Sequence, residues 1–103
     1  MFSFFTKLFN SGSKVDFKEL IANKAIIIDV RTKAEYQNGH IKGSMNIPLQ
    51  SLNTQLSKLK KDKTIITCCA SGSRSSVAKS ILKSNGFTDV HNGGSWTRLN
   101  QYI

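Results

Sequence analysis

Residues 64–75 read Thr64-Ile65-Ile66-Thr67-Cys68-Cys69-Ala70-Ser71-Gly72-Ser73-Arg74-Ser75. A β-branched apolar run meets two cysteines, then a loop of small residues that contains one cation. The run through Cys68 suits a strand buried on both faces of a parallel sheet, because no charged residue alternates with the apolar ones. After the loop, Val77, Ala78, Ile81 and Leu82 recur at helical spacing, and Asn85-Gly86 offers a left-handed stop with Phe87 beyond it. Strand, tight loop and helix in that order place a thiol against a helix N-terminus.

Working upstream, Ala25-Ile26-Ile27-Ile28-Asp29-Val30 is a second unbroken apolar run of the same kind. Ser44 to Ile47, ended by Pro48, is a weaker strand candidate, and Thr88 to His91 is a fourth. Helical signals fall between them. Asp16-Phe17-Lys18-Glu19 and Thr32-Lys33-Ala34-Glu35 both have the form of a capping box, in which the third helical residue reaches back to the cap. Leu49, Leu52, Leu56 and Leu59 have helical spacing, and Lys58, Lys60, Lys61 and Lys63 gather where a helix C-terminus favours cations. Strands that alternate with helices in so short a chain predict an α/β domain with one mainly parallel sheet and helices on both faces. Ligands of such sheets bind beyond the carboxyl ends of the strands, where Asp29-Val30-Arg31 and the loop from Cys69 to Arg74 emerge.

That loop carries the chemistry. Successive backbone N–H groups converge into an anion-binding nest, the helix end adds about half a positive charge, and both lower a thiol pKa. Gly72 permits a left-handed turn, Ser71, Ser73 and Ser75 bring hydroxyls, and Arg74 brings a planar cation suited to oxyanions. An exposed, activated thiol beside an anion cradle is the expectation. The plainer reading of the same residues is two small apolar side chains at a strand end and a turn before an N-cap.

The wider pattern resembles the rhodanese family. Asp29-Val30-Arg31, Glu35-Tyr36, Gly39-His40-Ile41, Gly43-Ser44, Asn46-Ile47-Pro48 and Cys69-x-x-Gly72-x-Arg74-Ser75 stand in that family's order and spacing, over residues 15 to 103. Gly93-Gly94 and Trp96 look like its final loop and helix. The resemblance implies a rhodanese-like, five-stranded sheet and a sulfurtransferase in which Cys69 is the nucleophile. It also implies that loop residues Ala70, Ser71, Gly72, Ser73, Arg74 and Ser75 hold an anionic sulfur donor such as thiosulfate, with cyanide or a thiol as acceptor. The expected boundaries are an aromatic-rich N-terminal segment at 1–12 and the rhodanese-like domain at 13–103.

Loop length separates two related chemistries. Cys69 to Arg74 is six residues, as in sulfur-transferring members, whereas counting from Cys68 gives the Cys-x5-Arg spacing of related phosphatases. A cysteine-based phosphatase or arsenate-reducing relative is one alternative; a non-turnover persulfide carrier serving a sulfur-relay partner is another. Cys68 itself has three readings: strand packing, a resolving thiol, or half of a pair that captures a thiophilic metal. Asp29 and Arg31 are read as fixing neighbouring loops, His40 as structural, and Trp96 as a core or rim aromatic.

Composition bounds the rest. Fifteen Lys and Arg against six Asp and Glu give a formal charge of +9, a field that attracts anions without naming them. The lysines are scattered and lack an Arg/aromatic stripe, so no nucleic-acid partner is expected. His91 has no neighbour at metal-ligand spacing, so neither a metal nor a cofactor is expected. Two adjacent cysteines exclude a long-range disulfide framework and point to a reducing, cytoplasmic setting. Met1 to Phe9 hold four of the six Phe, interrupted by Lys7, without a basic stretch ahead of them. They are expected to cover the chain's own core or to fray, rather than to form a signal peptide, with a membrane-surface contact or packing on a partner as the alternatives and Asn10 to Lys14 as a short linker.

Overall fold

The computed structural model describes residues 15–103. The readings made for the N-terminal aromatics and the linker therefore lie outside the described residues. Helix α1 spans Phe17–Ala22, β1 Ile26–Asp29, α2 Lys33–Gln37, β2 Met45–Asn46, β3 Ile65–Cys69, α3 Ser73–Ser84, β4 Val90–Ser95 and α4 Trp96–Leu99. All strand pairs are parallel, in the order β2-β1-β3-β4. β1 and β3 lie side by side at the centre, and the chain leaves them in opposite directions across the sheet, which opens a crevice beyond their carboxyl ends.

The unbroken apolar runs are explained by burial on both faces. Ile28, Val30, Ile65 and Cys69 point into one core with Ala78, Leu82 and Phe87. Ile27, Ile66 and Cys68 point into a second core with Ile41 and Leu99, covered by Phe17, Leu20, Ile21 and Trp96. Each such side chain moved out of water contributes about 1.5–3 kcal/mol, so a strand with no polar face is the stable solution here.

Local signals act as written. The Thr32 hydroxyl accepts from the Glu35 N–H at 3.2 Å while Glu35 accepts from the Thr32 N–H at 3.0 Å, a complete capping box. Asp16 accepts from the Glu19 N–H at 3.1 Å, the cap's own half of the exchange. Gly86, with φ of 93°, stops α3 after Asn85, and the Phe87 N–H returns to the Leu82 carbonyl at 3.1 Å.

Four expectations are corrected. The sheet has four strands among the described residues, not five: β2 is two residues long before Pro48 removes a donor, and β4 turns at once into α4. Those four correspond to the strand candidates read from the sequence. Leu49 to Leu59 form two 3-10 segments, Leu49–Thr54 and Leu56–Lys58, rather than one α-helix. The leucine pairs 49/52 and 56/59 fit the three-residue repeat, and Ser51 and Thr54 divert backbone bonding, with Thr54 Oγ1 donating to the Ser51 carbonyl at 2.9 Å. Gly93-Gly94 belong to β4 rather than to a loop. Cys69, expected exposed in the loop, is the last residue of β3 and is buried, because strand alternation turns it into the first core.

Candidate active site

The two cysteines occupy opposite faces of β3. Cys68 sits in the second core, where burial above all, with Asp29 adding to it, pushes its thiol up to about 12. Cys69 is buried too, and burial opposes its ionisation. The Ser75 hydroxyl and the N–H groups of Ser75, Gly72 and Ser71 outweigh that penalty and hold the thiol below its ordinary value.

The chain turns sharply to make this cradle. Gly72 adopts φ of 112°, and its backbone packs on Gly94, whose Cα would lie 3.5 Å from a Cβ placed at Gly72. The turn brings the Gly72 N–H to 3.0 Å and the Ser75 N–H to 3.4 Å from Cys69 Sγ. Ser75, in the first turn of α3, is fully buried, and the Thr67 hydroxyl donates to its carbonyl at 2.9 Å. Ala70, Ser71 and Ser73 are exposed around this centre.

Arg74 does not stand open to the loop. Its Nη1 and Nη2 donate to the two oxygens of Glu35 at 2.7 and 3.0 Å. Glu35, read from sequence only as a capping residue, therefore serves two helices, and its carboxyl is held down to about 2, first by Arg74 and then by the Thr32 N–H. Asp29 and Arg31 form a buried pair, with Arg31 Nη2 2.7 Å from Asp29 Oδ2 and the same nitrogen donating to the Gly39 carbonyl at 2.7 Å. The Trp96 ring lies over that guanidinium, its centroid 4.7 Å away, so Asp29, Arg31 and Trp96 brace the loops after β1. His40 stacks on Tyr36 with centroids 3.8 Å apart and takes its place in the same brace through the Tyr36 carbonyl.

Asn92 was not singled out from sequence. Its Oδ1 accepts from the Ser75 hydroxyl at 2.6 Å and from the Gly94 N–H at 2.9 Å, and its Nδ2 donates to the Gly72 carbonyl at 3.2 Å. One side chain on β4 thus holds both ends of the cradle. An Asn just before a glycine pair is a local turn signal, which is all that sequence inspection could have found. Among the described residues no group of three or more His, Cys, Asp and Glu side chains could hold a metal ion, and no helix is long and apolar enough to cross a membrane.

A thiol kept low by fixed N–H donors at a strand end can act as a nucleophile and hold a negatively charged product on sulfur. Comparison with known proteins finds relatives of the chain. The family model described as the rhodanese-like domain matches residues 13–98. The thiosulfate sulfurtransferase PspE of Escherichia coli strain K12 is 39% identical over 69 residues, covering 65% of this chain and 66% of that protein. The YqhL protein of Bacillus subtilis strain 168 is also 39% identical over 69 residues, covering 67% of this chain and 55% of its own length. The chain thus spans less than two thirds of either relative. A rhodanese from E. coli, solved with anions, superposes with a TM-score of 0.67 at 35% identity, over 71% of this chain and 88% of that one.

Proposed function

The chain belongs to the rhodanese-like domain family, and from that premise we propose that it is a sulfurtransferase that carries sulfane sulfur as a persulfide on Cys69. The observation that supports this reading is the set of N–H donors at 3.0 and 3.4 Å from Cys69 Sγ. In the forward step the Cys69 thiolate attacks the outer sulfur of thiosulfate. A sulfur–sulfur bond forms on Cys69 as the donor's own bond breaks, and sulfite leaves with the bonding pair. The Cys69 persulfide then gives its terminal sulfur to cyanide as thiocyanate, or to a thiol or a relay protein, and the thiolate returns.

The loop N–H groups serve twice, stabilising first the thiolate and then the persulfide anion. Arg74, tied to Glu35, acts as a brace for the loop rather than as an open charge. Because Cys69 is covered, the exposed residues Ala70, Ser71 and Ser73 must yield a path for the donor. The phosphatase spacing loses its support, since it counts from a cysteine whose side chain faces the other core. Two free cysteines fit a reducing, cytoplasmic setting.

Intact mass after incubation of the reduced protein with thiosulfate tests the reading, alongside Cys69→Ser and Cys68→Ser. A gain of about 32 Da, one sulfur atom, in the parent and in Cys68→Ser but not in Cys69→Ser is the expected result for a single reactive thiol. No gain from thiosulfate or from an organic persulfide would overturn it and direct attention to hydrolysis of an aryl phosphate.

A further inference from the structure

We propose that the cleft beside the Cys69 loop binds the carbon skeleton of an organic persulfide that bears an anionic group, with Arg98 as the cation that receives that group. The inference rests on the sulfurtransferase reading and names its donor class. The cleft has a volume of about 600 Å³ and is lined by Ser71, Gly94, Ser95 and Arg98 together with Phe17 and Tyr102. That volume lies within the range of about 300–1,000 Å³ typical of small-molecule pockets and is generous for an inorganic anion alone.

Register sets this cleft beside the end of the strand that carries Cys69. Cys69 is paired with Ser95 across the β3–β4 ladder, and Ser71 follows Cys69 by two residues. Ser95 caps α4 by accepting from the Arg98 N–H at 3.3 Å, so the Arg98 side chain starts one helical turn from the residue opposite the thiol.

Charge then selects Arg98. The chain has three arginines. Arg31 is buried on Asp29, and Arg74 is forked onto Glu35. Arg98 is exposed and has no carboxylate partner among the described residues, and residues 1–14 contain no Asp or Glu that could supply one. A second cleft, of about 380 Å³, is lined by Val30, Pro48 and Leu49, but its arginine is Arg74, whose charge is already met. A guanidinium with open donors suits a carboxylate or sulfonate, and the aromatic pair, with centroids 6.1 Å apart, suits the carbon chain between.

The transfer balances without an added oxidant or reductant. The Cys69 thiolate attacks the terminal sulfur of R–S–SH, the new sulfur–sulfur bond forms as the old one breaks, and R–S⁻ leaves with the electron pair. The proton stays on the transferred sulfur.

The test compares mercaptopropionate persulfide with the uncharged propyl persulfide in the parent, Arg98→Gln and Arg98→Lys. Arg98→Gln should raise KM for the charged donor about tenfold, with kcat and the propyl donor little changed, and Arg98→Lys should recover part of the loss. Equal effects on both donors, or no effect on either, would overturn the assignment while leaving sulfur transfer intact. If the parent gains no sulfur from either persulfide, both the assignment and the sulfurtransferase reading fall.

Discussion

Arg74 and Glu35, 39 residues apart in the chain, meet through two parallel hydrogen bonds of 2.7 and 3.0 Å. The pair ties the first turn of α3, which cups Cys69, to the first turn of α2, which follows β1. A fork of this geometry fixes direction as well as distance, so it sets the angle at which the loop leaves β3.

Replacing Glu35 with Gln should therefore loosen the loop without touching the sulfur. Glu35 has its pKa depressed from 4.5 to about 2, so its contribution to stability is present above 4.5 and is lost as pH falls through about 2. Thermal midpoints followed through that acid range should fall for the parent, and Glu35→Gln should lack this part of the fall. Sulfur transfer at neutral pH should drop, up to about a hundredfold if the loop is displaced by the order of an ångström. An unchanged acid profile and rate would show that the pair braces nothing.

The two thiols should titrate far apart. In Cys68→Ser, ultraviolet thiolate absorbance should appear with a midpoint below the ordinary thiol value of 9.0, since N–H and hydroxyl donors favour the Cys69 anion. In Cys69→Ser the remaining thiol should stay protonated until about pH 12 or until the protein unfolds. The Cys69 contribution to stability is complete above 9.0 and is lost as pH falls through its lower folded value. Equal midpoints in the two variants would contradict the assignment of faces on β3.

Ser75 has one hydroxyl proton and three neighbours for it. Its Oγ lies 2.6 Å from Asn92 Oδ1, 3.0 Å from the Gly72 carbonyl and 3.4 Å from Cys69 Sγ. While Cys69 is a thiol its S–H can donate to Ser75; once it ionises, the hydroxyl proton must turn to the sulfur. Ser75→Ala should move the Cys69 midpoint upward and slow persulfide formation at neutral pH about tenfold, the low end of the ~1.5–3 kcal/mol carried by a hydrogen bond to a charged group. A variant that titrates like the parent would show that backbone N–H groups alone stabilise the anion.

Gly93 is needed for its lack of a side chain. A Cβ there would lie 2.7 Å from Ile66 Cγ2, 3.0 Å from Leu99 Cδ2 and 3.0 Å from the Thr67 carbonyl oxygen. The backbone oxygen cannot move aside as a side chain can, so Gly93→Ala should destabilise by about 1–3 kcal/mol. At roughly 4–8 °C per kcal/mol for a domain of this size, a thermal melt would register the loss. A melting temperature equal to the parent's would mean that β4 can shift away from β3 at no cost.

The local devices were legible because each needs only neighbouring residues. Thr32 and Glu35 close their capping box within one turn, and Gly86 stops α3 where the chain requires a positive φ. The triple isoleucine at 26–28 signalled burial on two faces, whereas the strand was expected to stop at Cys68, and its extension to Cys69 is what puts the two thiols on opposite faces. The fifth strand came from family resemblance rather than from any apolar run. The Leu49–Leu59 spacing misled because 3-10 and α repeats agree over a single turn.

What the sequence by itself determined about this protein is the order of strands and helices, the sharp turn at Gly72, and the place of the two cysteines where β3 meets its loop. Those follow from backbone conformation, burial and periodicity, which act over a few residues. Only the tertiary structure decided that Glu35 would take up the charge of Arg74, that Asn92 would hold Ser75 and Gly72, and that Arg98 would face the cleft uncompensated. These pairings join segments 17 to 39 residues apart, and they exist because parallel order sets β4 beside β3 and brings strand ends from distant parts of the chain to one edge. Hydrogen bonds and ion pairs act over a few ångströms, so such contacts have no trace in sequence spacing.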